Sequence, residues 1–182
     1  TITPFSHRMR NMDVEAVSAS ILNNTQDTVL NLLREFDSEI QDLEILKRQG
    51  SDAVVYVKHK RLGLSPLSTF GDGMRRALII GASLASVRGG ILLVDEIESA
   101  IHVEALKTTF QWLQSACSNL NVQLFATTHS LEAIDALIAA AGASIDLSVY
   151  RLEQREGLSH AKAFSHEKLL MIREELGQEI RS

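Results

Sequence analysis

A chain of 182 residues with 45% apolar and 23% charged side chains can bury one sizeable core, and its balance is that of an ordinary globular domain. The net charge of −5 argues against uniform coating of nucleic acid, and the lone cysteine, Cys117, excludes an internal disulfide framework and fits a reducing compartment. No window approaches the roughly 18 consecutive apolar residues of a membrane span, and no signal-peptide core opens the chain, so the cytoplasm is the expected location.

Residues 1–11 read as irregular, with Pro4 and a basic cluster at His7, Arg8 and Arg10. From Met12 to about Leu22, Val14, Val17 and Ile21 recur at helical spacing. Asn23-Asn24-Thr25 interrupts the pattern and offers a cap to a second helix. On that helix Val29, Leu33, Phe36, Ile40 and Leu43 line one face over two heptads, and Gly50 ends it. Residues 12–48 thus read as a helical arm or subdomain, and 53–182 as the remaining core of a single domain. Residues 53–61 give a short strand signal whose basic exit, Lys58 to Arg61, is a solvated edge or a nucleic-acid contact.

After Gly63 and Pro66 comes Leu67-Ser-Thr-Phe-Gly-Asp-Gly-Met-Arg-Arg76, a glycine-rich turn feeding an apolar helix over 77–87. Ser68 and Thr69 are candidate caps, and Gly71 and Gly73 permit close backbone approach. Free N–H groups at such a helix start suit an anion.

The next stretch organises the chain. Ile91-Leu-Leu-Val-Asp-Glu-Ile-Glu98 runs four apolar residues into two adjacent carboxylates, as in a parallel strand buried on both faces. Asp95 and Glu96 fall at the strand's C-terminal end, where open α/β sheets bind ligands, and they need a cation, a partner or water. Residues 102–118 read as a helix with Val103, Leu106, Phe110 and Leu113 on one face, and 122–127 as a second buried strand. This βαβ unit makes the strands parallel, which brings His129 to the same edge as Asp95 and Glu96. Ser130 can cap the following helix, over 131–141. Segments 145–152 and 159–164 flank Gly157 as a hairpin, and Ser165 caps a last helix carrying Leu169, Leu170, Ile172 and Leu176.

The order of these segments resembles the C-terminal half of an ABC-type ATPase nucleotide-binding domain, and more narrowly the overcoming-lysogenization-defect (OLD) ATPases related to the RecF and SMC group. The resemblance covers residues 67–130. It implies an α/β, P-loop NTPase-like parallel sheet with flanking helices, plus a C-terminal β-hairpin and helix. By this likeness residues 91–95 are the Walker B strand, with Asp95 holding Mg²⁺. Glu96 is the catalytic glutamate, His129 the switch histidine and 97–102 the D-loop region. Ser68, Gly71, Gly73 and Arg75 occupy the signature position and reach ATP held by a second subunit, which implies a homodimer closed on the nucleotide. Action on DNA or on a partner protein, in genome maintenance or phage defence, is implied by the same likeness.

Two departures accompany it. The usual Leu-Ser-Gly-Gly-Gln signature is replaced by Gly71-Asp72-Gly73-Met74, and no Gly-x-x-x-x-Gly-Lys-[Ser/Thr] occurs between Thr1 and Ser182. Without that loop the phosphates have no backbone nest. The P-loop half is therefore expected upstream or in another chain, and this chain alone is expected to be inactive. Two alternatives stand beside the ATPase: a non-catalytic interaction module, and a metal-dependent hydrolase using Asp95, Glu96, His102 and His129.

Overall fold

The computed structural model describes residues 2–3, 10–47, 49–141, 147–155 and 157–171. A short β1 (Ile2–Thr3) precedes two helices, α1 (Arg10–Leu22) and α2 (Gln26–Phe36). Then β2 (Ile40–Lys47), β3 (Ala53–His59) and β4 (Gly63–Pro66) form an antiparallel meander. A 3₁₀ turn over Leu67–Phe70 leads into α3 (Gly71–Ser86). Next come β5 (Ile91–Val94), α4 (Val103–Leu120), β6 (Gln123–Ala126) and α5 (Leu131–Ala140). The hairpin β7 (Ser148–Arg155) and β8 (Leu158–Ser165) and the short α6 (His166–Leu170) follow.

The βαβ unit takes its expected form. β5 and β6 are parallel, in register from Ile91 opposite Gln123 to Val94 opposite Ala126. Residues 2–3, read as irregular, instead pair in parallel with Leu93 and Val94, so β5 is the central strand of three. Behind this sheet α3 serves as the spine of the molecule. It is buried almost continuously from Met74 to Ala85, as befits a helix that is apolar on nearly every side. Leu78 and Ala82 belong to the core shared with α1, α2, β2 and β3, whereas Ile80 and Leu84 belong to the core of β5, α4 and α5. A smaller cluster of Ile134, Ile138, Phe164 and Leu169 seats the hairpin and α6 on α5.

The second helix is shorter than its pattern. It stops at Phe36, and Ile40 and Leu43 lie on β2, not on a helical arm. The pairing of β2 with β3 shifts between Ile40 and Asp42, the mark of a β-bulge. The extra residue turns Ile40 and Leu43 to the same buried side, a three-residue spacing that imitates a helix.

The central strands also depart from expectation. β5 alternates, with Leu92 and Val94 buried but Ile91 52% and Leu93 39% exposed; on β6 Phe125 is 50% exposed. The described helices that pack on these strands bury one face only, and the other face is bare. Val103 is likewise exposed, although Leu106, Phe110 and Leu113 are buried as read. Ser130 and Ser165 cap α5 and α6 by accepting from the Ala133 and Lys168 N–H groups. Thr25 and Ser68 make no cap of this kind. Ile145, Ile172 and Leu176, with the basic pair His7 and Arg8, lie outside the described residues.

Candidate functional site

Parallel register carries the two strand ends side by side, and one residue joins them. Beyond Val94 and Ala126, Thr127 hydrogen-bonds four consecutive residues of the neighbouring segment. Its N–H donates to the Val94 carbonyl at 3.0 Å, and its carbonyl accepts from the Ile97 N–H at 3.1 Å. Its hydroxyl donates to Asp95 Oδ1 at 2.5 Å and accepts from the Glu96 N–H at 2.9 Å. Two positions further on, the His129 N–H donates to Glu98 Oε1 at 3.1 Å. Asp95, Glu96 and His129 therefore share one edge, as the sequence indicated. Asp95 and His129 are exposed and Glu96 is half-buried, so their side chains face solvent and not a closed cavity.

From inside, the edge is held by Arg76. This fully buried side chain donates from one terminal nitrogen to the Asp95 carbonyl at 2.7 Å and the Glu96 carbonyl at 3.1 Å. Burial lowers its pKa from the ordinary guanidinium value, and the nearby carboxylates of Asp95, Glu96 and Glu98 pull it back up. The clamp matters because Glu96 has φ +46°, a left-handed conformation uncommon outside glycine. Held from β6 by Thr127 and from α3 by Arg76, the backbone at 95–96 has little freedom to swing.

The glycine-rich segment is built differently. Gly71 has φ +84° and ψ 169°, a combination that only glycine adopts readily, and it opens α3 directly, three residues before Met74. A Cβ on Gly73 would sit 2.8 Å from the Ala100 carbonyl oxygen, so the missing side chain lets α3 approach residues 97–102 of the same chain. Arg75 is buried and ion-paired to Asp13 of α1, its Nε donating at 2.9 Å, with Asp72 at 3.8 Å. Ser68 is exposed in the 3₁₀ turn. Of the four signature-position residues, then, Gly71, Gly73 and Arg75 serve internal geometry or pairing. The α3 N-terminus receives no side-chain cap hydrogen bond, with Phe70 standing at its N-cap.

Thr127 had no role in the sequence reading beyond ending a strand, Glu98 fell within the D-loop region, and Arg76 read as an added charge or a surface residue. Arg76 carried a signal: an arginine entering a helix apolar on every side needs a buried partner. Thr127 carried none beyond its place at a strand end.

His102 belongs to another feature. It is the N-cap of α4, its Nδ1 accepting from the Glu104 N–H at 3.4 Å. A cleft of about 330 Å³ beside it is lined by Glu35, Phe36 and Thr108, away from the carboxylate edge. Among the described residues, the ligand-type side chains close enough to share a metal are Asp37, Glu39 and His59. The geometry there does not fit a metal. His59 Nδ1 accepts from the Arg61 and Leu62 N–H groups at 3.2 and 3.1 Å, so the ring proton sits on Nε2 and donates to Asp37 at 3.0 Å. Glu39 is paired with Arg61, and the cluster pins the turn after β3.

Residues 6–135 match the family described as "AAA domain, putative AbiEii toxin, Type IV TA system", well over half of the chain. The chain belongs to this AAA family. It is 37% identical over 114 residues to an uncharacterized protein of Methanocaldococcus jannaschii, covering 61% of this chain and 98% of that one. It is also 32% identical over 130 residues to an ATP/GTP phosphatase of Helicobacter pylori. That match takes in 68% of this chain and spans only 34% of the phosphatase. Among solved structures, one from a study of ATP-driven dimerization and DNA-stimulated activation of SMC ATPases aligns with TM-score 0.55 at 14% identity, over 88% of this chain and 98% of that one. An Smc head bound to the C-terminal winged-helix domain of ScpA aligns with TM-score 0.59 at 13% identity, over 90% and 53% of the respective chains. The fold is thus that of an SMC-type ATPase head, an ABC-type P-loop ATPase-like domain. Among the described residues no helix is long and apolar enough to cross a membrane.

Proposed function

We propose that the chain supplies the hydrolytic edge of an ABC-type ATPase of the OLD and RecF–SMC kind. A P-loop-bearing half completes it, and ATP binding and hydrolysis drive dimerisation that acts on DNA or a partner protein. One observation carries the reading: Asp95, Glu96 and His129 come to one edge with side chains open to solvent while their backbone is clamped from both sides. An exposed carboxylate at a strand end is a fitting donor for a hard cation that keeps most of its waters, so Asp95 would hold Mg²⁺. Bound there, Mg²⁺ supplies charge neutralisation for the β- and γ-phosphates. Glu96, one residue on, accepts a proton from or orients the attacking water. His129 donates to the γ-phosphate and senses its departure. The N-terminus of α3, which lacks a side-chain cap, meets the phosphate of the opposing subunit, although Asp72 in the first turn opposes an anion there.

Completion by a P-loop half is supported by the bare sheet face as well as by the missing motif. Parallel sheets are normally covered on both sides, and here Ile91, Leu93 and Phe125 stand open next to the carboxylate edge. A strand–loop–helix unit laid on that face would place its loop beside Asp95. Genome maintenance or phage defence is the setting that the OLD likeness favours.

The test is to express the full reading frame that encodes this sequence and to assay phosphate release from ATP with and without a chelator. Mg²⁺-dependent turnover, lost on changing Asp95 to Asn, is the expected result. Hydrolysis of other substrates that needs metal but not ATP favours the metal-hydrolase alternative. Partner capture that ignores nucleotide favours the interaction module.

A further inference from the structure

We propose that Thr127 is the positioning residue of this edge: its hydroxyl fixes both the Asp95 carboxylate and the Glu96 backbone, and so sets metal and water in register. The inference rests on reading the edge as an ATPase edge. Three groups of Thr127, its N–H, carbonyl and hydroxyl, make four hydrogen bonds to Val94, Asp95, Glu96 and Ile97 in turn. The two backbone bonds continue the ladder, and any residue could make them. The two hydroxyl bonds need Ser or Thr. By donating to Asp95 Oδ1 at 2.5 Å the hydroxyl holds one carboxylate oxygen and leaves Oδ2 for a cation or its water. By accepting from the Glu96 N–H at 2.9 Å it holds the left-handed turn that aims the next side chain. The hydroxyl has one proton, and the two contacts use it consistently, as donor to the carboxylate and acceptor from the amide. Thr127 is itself exposed, so these bonds compete with water and add little to folding stability. Their consequence is orientation. Because Thr127 lies two residues before His129, any shift of the switch histidine's segment is passed to Asp95 and Glu96 through the same hydroxyl.

The experiment compares Thr127→Val, which keeps the shape and removes the hydroxyl, with Thr127→Ser, which restores it, in the protein expressed from the full reading frame. For Val, kcat for ATP falls by roughly 10- to 100-fold with KM changed less than about twofold, because the lost interaction aligns reacting groups and does not bind substrate. The Mg²⁺ concentration for half-maximal rate rises by about tenfold, the range set by loss of a hydrogen bond to a metal ligand. Ser restores both to within about threefold of the threonine enzyme. Exchange of the Glu96 amide proton, read by NMR without ATP, quickens in Val and not in Ser. Wild-type kcat and metal dependence in Val would overturn the proposal, as would a Glu96 amide equally unprotected in all three proteins. A merely structural role predicts instead a lower Tm in Val with kcat and metal dependence moving no further than stability does. Absent turnover in the threonine protein, together with a Glu96 amide that depends on Thr127, would sink the ATPase reading separately.

Discussion

The carboxylate edge and the glycine-rich start of α3 looked alike as sequence: both are polar motifs beside apolar runs, and both suggested a nucleotide. In three dimensions they differ in what is left over. At the edge the backbone is clamped by Thr127 and Arg76, while the side chains of Asp95 and His129 are exposed to solvent. At the glycine-rich start the special residues are consumed by the fold. Gly73 accommodates Ala100, Arg75 pairs with Asp13, and Arg76 reaches through to the carbonyls of Asp95 and Glu96. A site keeps its chemistry available, whereas a scaffold spends it. The second segment thus acts on the first mainly by holding it in place.

Substitutions can break or sharpen that contrast. The largest effect is expected from Arg76→Met, which strips two backbone carbonyls of a buried charged partner, or from Asp13→Ala, which leaves the buried Arg75 with only the more distant Asp72. Each should cost about 3–5 kcal/mol, read from urea or thermal unfolding. Gly73→Ala pushes a methyl against a backbone oxygen and should cost about 1–3 kcal/mol in the same assay. If either class proved neutral, the scaffold reading of α3 would fail. By contrast, Asp95→Asn and His129→Ala should change unfolding by no more than about 0.5 kcal/mol, as expected of exposed side chains, and still abolish ATP-dependent activity in the completed protein. Leu93→Lys on the bare face should leave the stability of this chain nearly unchanged and weaken its association with a P-loop half, measured by sedimentation or pull-down of that half.

A pH effect comes from the scaffold side. Burial pushes the Cys117 thiol from 9.0 up to about 11. A raised thiol pKa means the native state retains its proton longer than the unfolded one. Its stabilising contribution is complete below pH 9 and fades as the pH climbs to about 11. Iodoacetamide at pH 8 should therefore label native Cys117 far more slowly than the unfolded chain, since the thiolate is the nucleophile. Equal rates would contradict its burial on α4.

How much could be read beforehand follows from what each signal requires. The βαβ unit and the shared edge were legible because parallel pairing leaves equivalent strand ends no other arrangement. Ser130 and Ser165 were legible as caps because capping is local. The β2 strand was not: a bulge gave Ile40 and Leu43 the spacing of a helix, and only the pairing with β3 reveals it. The bare face of β5 was hidden for a related reason. Ile91-Leu-Leu-Val carries the same apolar letters whether one side is covered or two, so composition cannot report which partner is there. The roles of Arg76 and Thr127 depend on contacts 19 to 33 residues away, beyond any local pattern.

Glu96 is the residue on which hydrolysis at this edge turns. The decisive measurement is ATP turnover and nucleotide-bound assembly of wild type and Glu96→Gln, in the protein expressed from the full reading frame. Gln keeps the shape and removes the base, so turnover should fall by roughly 100-fold or more while ATP-bound dimer accumulates. Turnover equal to wild type, or no ATP-dependent assembly in either protein, would contradict the claim that this strand end is a hydrolytic edge.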